Sequence, residues 1–366
     1  MRRIYCIVNS MDSVFTPYLA KIEDALHAFL PSDTNPQWQE QSFAGLSSCV
    51  SNTYLSQLIH PCRSLMDLGG KRWRPLLMVL CAHLAKECGR TAELSDEDIF
   101  LLTPLVEFVH TASLIHDDIE DSAGMRRGEI AAHIQFGLDC ALNAGSWLYF
   151  EAAVCIKKLH ASDAFKNTLY ELYFTELRRL HLGQAMDIFW HKNTELIPSV
   201  EEYTNMVQCK TGTLASLAVQ AGIAGSGGSS AEAHEAGRIA AAIGEGFQIL
   251  DDVQNLTTGN PGKKRGDDIV EGKKSLPVLI HIAEHPGDKE RIVRCFEAAG
   301  QEGIGSPAVD ECISILDSSG SIQKAAQNGR SCVLENAAHL TEVFGNSGSE
   351  KNAGLIKKLF ADMIRA

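Results

Sequence analysis

The segment DEDIFLLTPLVEFVHTASLIHDDIED, residues 96–121, has the clearest periodic pattern in the chain. Its apolar residues recur at the three- and four-residue steps of one helix face. They are Ile99, Leu102, Leu105, Val106, Val109 and Leu114. Ser95 with Asp98 resembles a capping box and predicts a helix start. Pro104 predicts a kink or a join between two helices.

The same helical spacing covers most of the remaining sequence. It is found over residues 74–86, 139–160, 166–190, 200–221 and 231–255, with shorter stretches up to the C-terminus. Alternating β-branched runs between hairpin turns, which are typical of strands, are missing from the sequence. The Gly- and Pro-rich breaks are too short for domain linkers, and no tandem repeat indicates a helical solenoid. We therefore predict an all-α protein with a single domain over residues 1–366.

Composition and charge narrow the class of protein. The chain of 366 residues has 46 acidic and 33 basic residues, a net charge of −13, which argues against a nucleic-acid partner.

No uncharged apolar stretch of about 18 residues is present, so we predict no transmembrane segment. The start, residues 1–8, has only half the apolar region of an export signal. The 11 cysteines form no Cys-x-x-Cys pair, and we expect reduced thiols in a cytoplasmic protein.

Two acidic clusters carry the chemistry. In His116-Asp117-Asp118-Ile119-Glu120-Asp121, the carboxylates of Asp117 and Asp121 lie one helical turn apart. Closely set carboxylates suit Mg²⁺, a hard ion that shares oxygen ligands with substrate phosphates. A solvated acidic helix end is the alternative. The segment QILDDVQN, residues 248–255, repeats the pattern and favours the metal site.

Basic patches accompany these clusters. Arg126-Arg127-Gly128 follows the first and Lys263-Lys264-Arg265-Gly266 follows the second, which indicates two halves of a polyphosphate–metal site. A third patch, GGKRWRP at residues 69–75, lies where a loop becomes a helix. Glycines and a helix N-terminus there favour a second phosphate site. The alternative is that this basic patch is solvent-exposed and binds nothing, which is the usual case for such a patch by itself.

These motifs resemble the trans-isoprenyl diphosphate synthases, or polyprenyl synthetases, over roughly residues 50–285. They follow the family's order: GGKRWRP, HTASLIHDDIED, MRRGEIAAH, HLGQAMDI, QCKTGTLAS, FQILDDVQN and GKKRGDDIVEGK. The resemblance implies the isoprenoid synthase fold, one large helical bundle around a deep central cavity, usually as a homodimer. It places a motif-bearing core at residues 50–285, an N-terminal helical extension at 1–49 and C-terminal helices at 286–366.

The resemblance also implies an activity and a cofactor. Isopentenyl diphosphate is condensed head to tail with an allylic diphosphate, and three Mg²⁺ ions hold the allylic diphosphate. The implied metal ligands are Asp117, Asp118, Asp121, Asp251 and Asp252. The implied cationic contacts to the allylic diphosphate are Arg126, Lys210, Lys264 and Lys273. Thr211 and Gln248 match positions that stabilise the allylic cation. The implied isopentenyl diphosphate site comprises Lys71, Arg74, His110 and Arg127.

The resemblance implies that product length depends on what blocks the cavity below the first aspartate motif. Ala112 and Ser113 are small, which disfavours farnesyl diphosphate, and a deeper floor from Trp147, Tyr149 or Phe150 is expected. Ordinary core packing is the alternative for these aromatic residues. We predict a product near twenty carbons, geranylgeranyl diphosphate, with a longer-chain or farnesyl product as the alternative.

Two positions depart from the family pattern. Asn255 stands where many members have Asp, and it still offers a carbonyl oxygen. Glu129 stands in a turn that commonly has proline.

Three other functions would also use parts of this pattern. A terpene cyclase has no need of an isopentenyl diphosphate site, and a phosphohydrolase of the HD type needs further histidines. A non-catalytic subunit of a heteromeric synthase would typically have lost an aspartate cluster. Both clusters are present here, which favours an active enzyme.

Overall fold

The computed structural model describes residues 13–259, 264–346 and 348–365. Residues 1–12, which include the start predicted to be no export signal, lie outside the described residues, and so does Lys263 of the second basic patch. The described residues are mostly helical and include only two short strands, which confirms the all-α prediction.

The helices of the first half follow one another through short connections. They are α1 Thr16–Phe29, α2 Pro36–Phe43, α3 Asn52–Met66, α4 Trp73–Glu87, α5 Asp96–Leu101, α6 Pro104–Glu120, α7 Ala132–Gln135, α8 Leu138–Ala152, α9 Val154–Lys158 and α10 Asp163–Lys192. A 3₁₀ turn, Ser13–Phe15, precedes α1. Between α6 and α7, strands β1 Met125–Arg126 and β2 Glu129–Ile130 pair antiparallel, with Arg126 opposite Glu129.

The second half continues in the same way. Its helices are α11 Val200–Val207, α12 Thr213–Gly225, α13 Ser230–Thr257, α14 Asp267–Val270, α15 Leu276–Glu284, α16 Lys289–Glu302, α17 Pro307–Ser318, α18 Ser321–Phe344 and α19 Glu350–Met363. A π-helix, Gln208–Gly212, joins α11 to α12, and a 3₁₀ turn, Pro286–Asp288, joins α15 to α16.

The segment quoted first forms two helices. The Ser95 hydroxyl accepts a hydrogen bond from the Asp98 N–H at 3.1 Å, so Ser95 is the predicted cap. Pro104 is the first residue of α6, where its missing N–H costs nothing, so it marks a join between helices. Among the described residues, Asp96–Glu120 is the one stretch long and apolar enough to cross a membrane. Its most apolar window is 72% buried inside the protein, as in a core helix.

Most helices share one hydrophobic core, and part of the C-terminal region has its own. Phe296, Cys312 and Leu316, on α16 and α17, pack with Leu256 and Ile269 in a second cluster. Helices α18 and α19 return to the main core, where α18 packs along α13 and α19 packs against α4. Ala325 of α18 belongs to a third cluster, with Trp190 and Tyr203. The predicted C-terminal segment 286–366 is therefore divided among three clusters.

Glycines bring the π-helix close to its neighbours. A Cβ atom at Gly183 of α10 would overlap the backbone nitrogen of Lys210. A Cβ atom at Gly212 would lie 2.6 Å from the Ala241 carbonyl oxygen, and one at Gly244 would lie 2.7 Å from the Gly212 Cα. The π-helix is thus held between α10 and α13 by backbone contact.

Gly183→Ala tests this contact. Because the added methyl group meets backbone and not a flexible side chain, we expect the free energy of unfolding to fall by about 1–3 kcal/mol. Gly354→Ala in α19 is the control, since its Cβ meets nothing within 4 Å and should raise that free energy by up to ~1 kcal/mol. Urea unfolding of the two variants measures both values. Equal stabilities would contradict the contact.

Candidate active site

A cavity of about 470 Å³ opens between α4, α6, α8, α10, the π-helix and α13. Most residues predicted for the site line this cavity. They are Arg74, His110, Ser113, Asp117, Arg126, Arg127, Lys210, Thr211, Gln248, Asp251 and Lys273. Apolar and aromatic side chains share the lining, among them Leu114, Tyr149, Leu180, Leu214, Phe247 and Met363. The cavity can therefore take a molecule with a charged end and an apolar body.

Two predicted product-length residues lie away from the cavity. The Phe150 side chain is 71% exposed on the surface of α8, and Ala112 is fully buried in the helix packing behind α6. Assigning them to the cavity wall is wrong for this chain, because the rotation of each helix turns them aside. Their neighbours Tyr149 and Ser113 line the cavity in their place.

The other predicted residues outside the lining fall into two groups. Lys71 and Lys264 are exposed, and Asp121 directly follows the last turn of α6. Asp118 and Asp252 are buried beside the cavity wall, at 1% and 3% exposure.

The first acidic cluster is held by the β-hairpin. Arg126 on β1 donates its Nε–H to the Asp118 carboxylate at 2.7 Å, and its Nη2 lies 3.2 Å from the Asp117 carboxylate. Burial raises the pKa of Asp118 above its usual range, while Arg126 lowers it. Arg126 thus holds Asp118 inside the wall and leaves Asp117 at the cavity.

In the second acidic cluster, too, one aspartate lines the cavity and the other is buried beside it. Asp251 lines the cavity, while Asp252 accepts hydrogen bonds from Tyr203 Oη and Gln248 Nε2, both at 2.9 Å. Burial raises the pKa of Asp252 to about 7. Thr211 Oγ1 donates to Gln248 Oε1 at 2.8 Å. The structure therefore brings the predicted pair Thr211 and Gln248 together.

The two departures from the family pattern have separate positions. Asn255 is fully buried, and its side-chain oxygen accepts the backbone N–H of Asp268 at 3.2 Å. That oxygen is engaged at the start of α14. Glu129 is exposed on β2, across the hairpin from Arg126.

Two lysines at the cavity pair with carboxylates that the sequence motifs had not assigned to the site. Lys210 Nζ lies 2.5 Å from Asp187 and 3.6 Å from Asp117. Although burial lowers the pKa of Lys210, Asp187 and Asp117 raise it above its usual range. Lys273 Nζ lies 3.0 Å from Asp268. Asp187 belongs to the HLGQAMDI segment, so its place in a recognised motif was the signal that could have found it.

A corner of the cavity concentrates positive side chains. Arg74 Nη1 lies 3.5 Å from His110 Nε2, and Arg127 donates to the Gly69 carbonyl oxygen. Burial lowers the pKa of Arg74 to about 10, and burial with the neighbouring arginines lowers the pKa of His110 well below its usual range. Arg74 Nε is buried without a hydrogen-bond partner. We call Arg74, His110 and Arg127 the cationic corner; the unpaired Arg74 donor and the two guanidinium charges fit an anion.

The carboxylates could hold Mg²⁺ only together with another ligand. Among residues 13–259, 264–346 and 348–365, no three His, Cys, Asp or Glu side chains converge on one metal position. Mg²⁺ commonly takes one or two carboxylates and completes its shell with water and substrate phosphate oxygens. Asp117 and Asp251, which line the same cavity, fit that donor set.

Three aromatic rings form one wall of the cavity. The Tyr149 ring lies edge-on to His116 and His181, with ring centroids 5.4 and 5.3 Å away. Tyr173 fixes this turn of α8 because its hydroxyl donates to the Tyr149 carbonyl oxygen. A long apolar substrate would meet these rings.

The family model for polyprenyl synthetases matches residues 56–314. The chain belongs to this family. The carboxylates of α6 and α13 that line the cavity lie within the matched region, and Met363 of the lining lies beyond it.

Known proteins resemble the chain over much of its length. Geranylgeranyl pyrophosphate synthase 2 of Zymoseptoria tritici is 36% identical over 60% of this chain, a match spanning 63% of that protein, less than two thirds of its length. Geranylgeranyl pyrophosphate synthase ltmG of Epichloe festucae is 32% identical over 85% of this chain and 88% of its own. The crystal structure of a polyprenyl synthase from Caulobacter crescentus, complexed with calcium and isoprenyl diphosphate, has the same fold. It covers 96% of both chains at 23% identity, with a TM-score of 0.74.

Arg126→Gln tests how the first cluster is held. It leaves the buried Asp118 carboxylate without its cation, so we expect the free energy of unfolding at neutral pH to fall by about 3 kcal/mol. The matched control is Arg265→Gln, whose partner Asp310 is 79% exposed. We expect it to change stability by less than ~0.5 kcal/mol. Denaturant titration measures both, and a similar loss in the two variants would contradict the buried pair.

Proposed function

We propose that this protein is a Mg²⁺-dependent trans-prenyltransferase that condenses isopentenyl diphosphate with an allylic diphosphate. The observation that carries the proposal is one cavity with two charged regions and an apolar wall. Asp117, Asp251 and Lys210 lie in one region and the cationic corner in the other, so the cavity suits two diphosphates and a hydrocarbon chain. The relatives named as geranylgeranyl pyrophosphate synthases support the same activity.

The chemistry begins with the allylic diphosphate. Its carbon–oxygen bond breaks, which places negative charge on the leaving diphosphate and positive charge on the allylic carbon. Lys210, Lys273 and Arg126 stabilise the leaving group. Bound Mg²⁺ adds Lewis-acid stabilisation of the same oxygens. The hydrogen-bonded Thr211 and Gln248 present oxygen dipoles to the cation.

The isopentenyl unit completes the reaction. Arg74, Arg127 and His110 hold its diphosphate, so that its double bond faces the allylic carbon. The double bond forms the new carbon–carbon bond, and the proton lost from the isopentenyl unit passes to the released diphosphate.

The ligand set and the number of metal ions belong to the proposal. Asp117 and Asp251 are the ligands best supported by position, and the calcium bound to the Caulobacter crescentus neighbour supports a divalent cation that takes oxygen ligands. Asp118, Asp121 and Asp252 stay predicted ligands, as do three Mg²⁺ ions. Lys71 and Lys264 stay predicted contacts.

We also propose a cytoplasmic homodimer. Large apolar side chains are exposed along one side of α8 and α10, which supports an interface there. They are Leu138, Leu142, Phe150, Phe174, Leu182 and Phe189. The described cysteines are free, which is compatible with a reducing compartment. Sedimentation of the full chain measures the oligomeric state.

Elongation assays test the function. The protein is incubated with Mg²⁺, labelled isopentenyl diphosphate and allylic primers of five, ten and fifteen carbons, and the products are separated by chromatography. We expect a product near twenty carbons and loss of activity when a chelator removes the metal. No elongation with any primer would contradict the proposal and favour a non-catalytic subunit.

Substitutions along the wall test the product length. Ser113→Phe adds an aromatic ring one turn below Asp117, so we expect a shorter product. Tyr149→Ala removes a ring from the wall, and we expect a longer one. Ala112→Phe is the comparison: because Ala112 is fully buried outside the lining, it should lower stability and leave product length unchanged. Unchanged product lengths from both Ser113→Phe and Tyr149→Ala would contradict the claim that this wall limits the chain length.

A further inference from the structure

The arginine between Lys71 and Arg74 is turned into the protein. Arg72 has a positive φ of 46°, and its side chain is 1% exposed. It reaches Glu23 of α1 at 2.7 Å, Glu107 of α6 at 2.8 Å and the Met66 carbonyl oxygen at 2.7 Å. The planar guanidinium has five N–H donors spread over three nitrogen atoms, so it reaches acceptors on separate elements that the single ammonium nitrogen of a lysine would have to share.

Glu107 lies beneath the cationic corner. It precedes His110 by one helical turn on α6, and its side chain is 3% exposed. Its charge acts on both neighbouring arginines: burial lowers the pKa of Arg74 and of Arg127, while Glu107 raises both. Among the described residues, however, neither arginine forms an ion pair, and the cation in contact with Glu107 is Arg72.

We propose that Arg72 is a positioning residue that keeps the Glu107 carboxylate away from Arg74 and Arg127, so that both stay open to the diphosphate of isopentenyl diphosphate. The inference rests on the proposed function of this corner. Without Arg72, a buried carboxylate would remain beside two arginines and would pair with them, because an unpaired buried charge is costly. The carboxylate would then compete with the substrate's diphosphate.

The loop around Arg72 makes this arrangement rigid. Arg127 holds the Gly69 carbonyl oxygen from the cavity side, while Arg72 ties the same loop to α1 and α6 from the interior. A Cβ atom at Gly70 would lie 3.2 Å from the Arg127 guanidinium, so the loop and Arg127 are in close contact. Arg72 therefore connects the N-terminal helix α1 to the corner that binds the anion.

Binding of isopentenyl diphosphate, measured by calorimetry without allylic substrate, tests the role of Arg72. We expect Arg72→Gln to weaken binding at least about fivefold. We expect the double variant Arg72→Gln/Glu107→Gln to recover at least half of that loss on a logarithmic scale, because the competing carboxylate is gone. A smaller loss in the single variant overturns the proposal. The proposal is also overturned if the double variant binds isopentenyl diphosphate as weakly as Arg72→Gln does, because Arg72 would then serve only to hold the loop in place.

Arg63→Gln is the matched control. Arg63 also ties elements together, by an ion pair to Asp67 at 2.8 Å and a hydrogen bond to the Leu30 carbonyl oxygen at 2.7 Å. We expect it to lower the melting temperature and leave the binding of isopentenyl diphosphate unchanged. Fivefold weaker binding in this variant would overturn the proposal, because general loosening would explain both effects.

Kinetics and a second ligand distinguish a failure of the proposed Arg72 role from a failure of the proposed prenyltransferase activity. In the active enzyme, Arg72→Gln should raise the KM for isopentenyl diphosphate and leave the KM for the allylic substrate unchanged. If the wild-type protein elongates nothing, the proposed function fails, and titration with inorganic pyrophosphate still ranks the variants. If Arg72→Gln does not fold, Glu107→Gln carries the test: we expect equal or tighter binding, and weaker binding overturns the proposal.

Discussion

Backbone contact at glycine is the constraint on which the site depends. The π-helix meets α10 at Gly183 and α13 at Gly212, with no side chain between the backbones. Because packed interiors leave no slack, such contacts fix the distance and the rotation of the elements. Lys210 thereby reaches Asp187, and Thr211 reaches Gln248. The relative positions of these four side chains therefore follow from three helices whose backbones are in direct contact.

Charge is arranged in two different ways around the cavity. Lys210, Lys273 and Arg126 each have a carboxylate within about 3 Å, which holds the cation in place and leaves its remaining donors for a ligand. The cationic corner has no such direct partner among the described residues, since Arg72 occupies Glu107. The net charge of −13 therefore says little about the site, where a minority of cations face the cavity.

Sequence reasoning found the residues of the motifs more readily than their partners. Periodicity predicted the helices, and the motifs indicated Asp117, Asp251 and Lys210, because residue type and spacing are local properties. Asp187, Asp268 and Glu107 went unassigned. A carboxylate behind a cation resembles any acidic residue in the sequence. The partner of Asp187 lies 23 residues away and that of Glu107 lies 35 residues away, whereas Lys273 lies five residues after Asp268.

The sequence by itself determined the all-α class, an interruption at Pro104 that could be a kink or a join, and the family. These depend on spacing within a few turns of chain. Only the tertiary structure decided that Tyr149 and not Phe150 lines the cavity, and that Arg72 turns inward while Arg74 lines the cavity. The physical reason is that the helical period sets which residues share a face. Which face meets the cavity depends on packing against helices distant in the sequence.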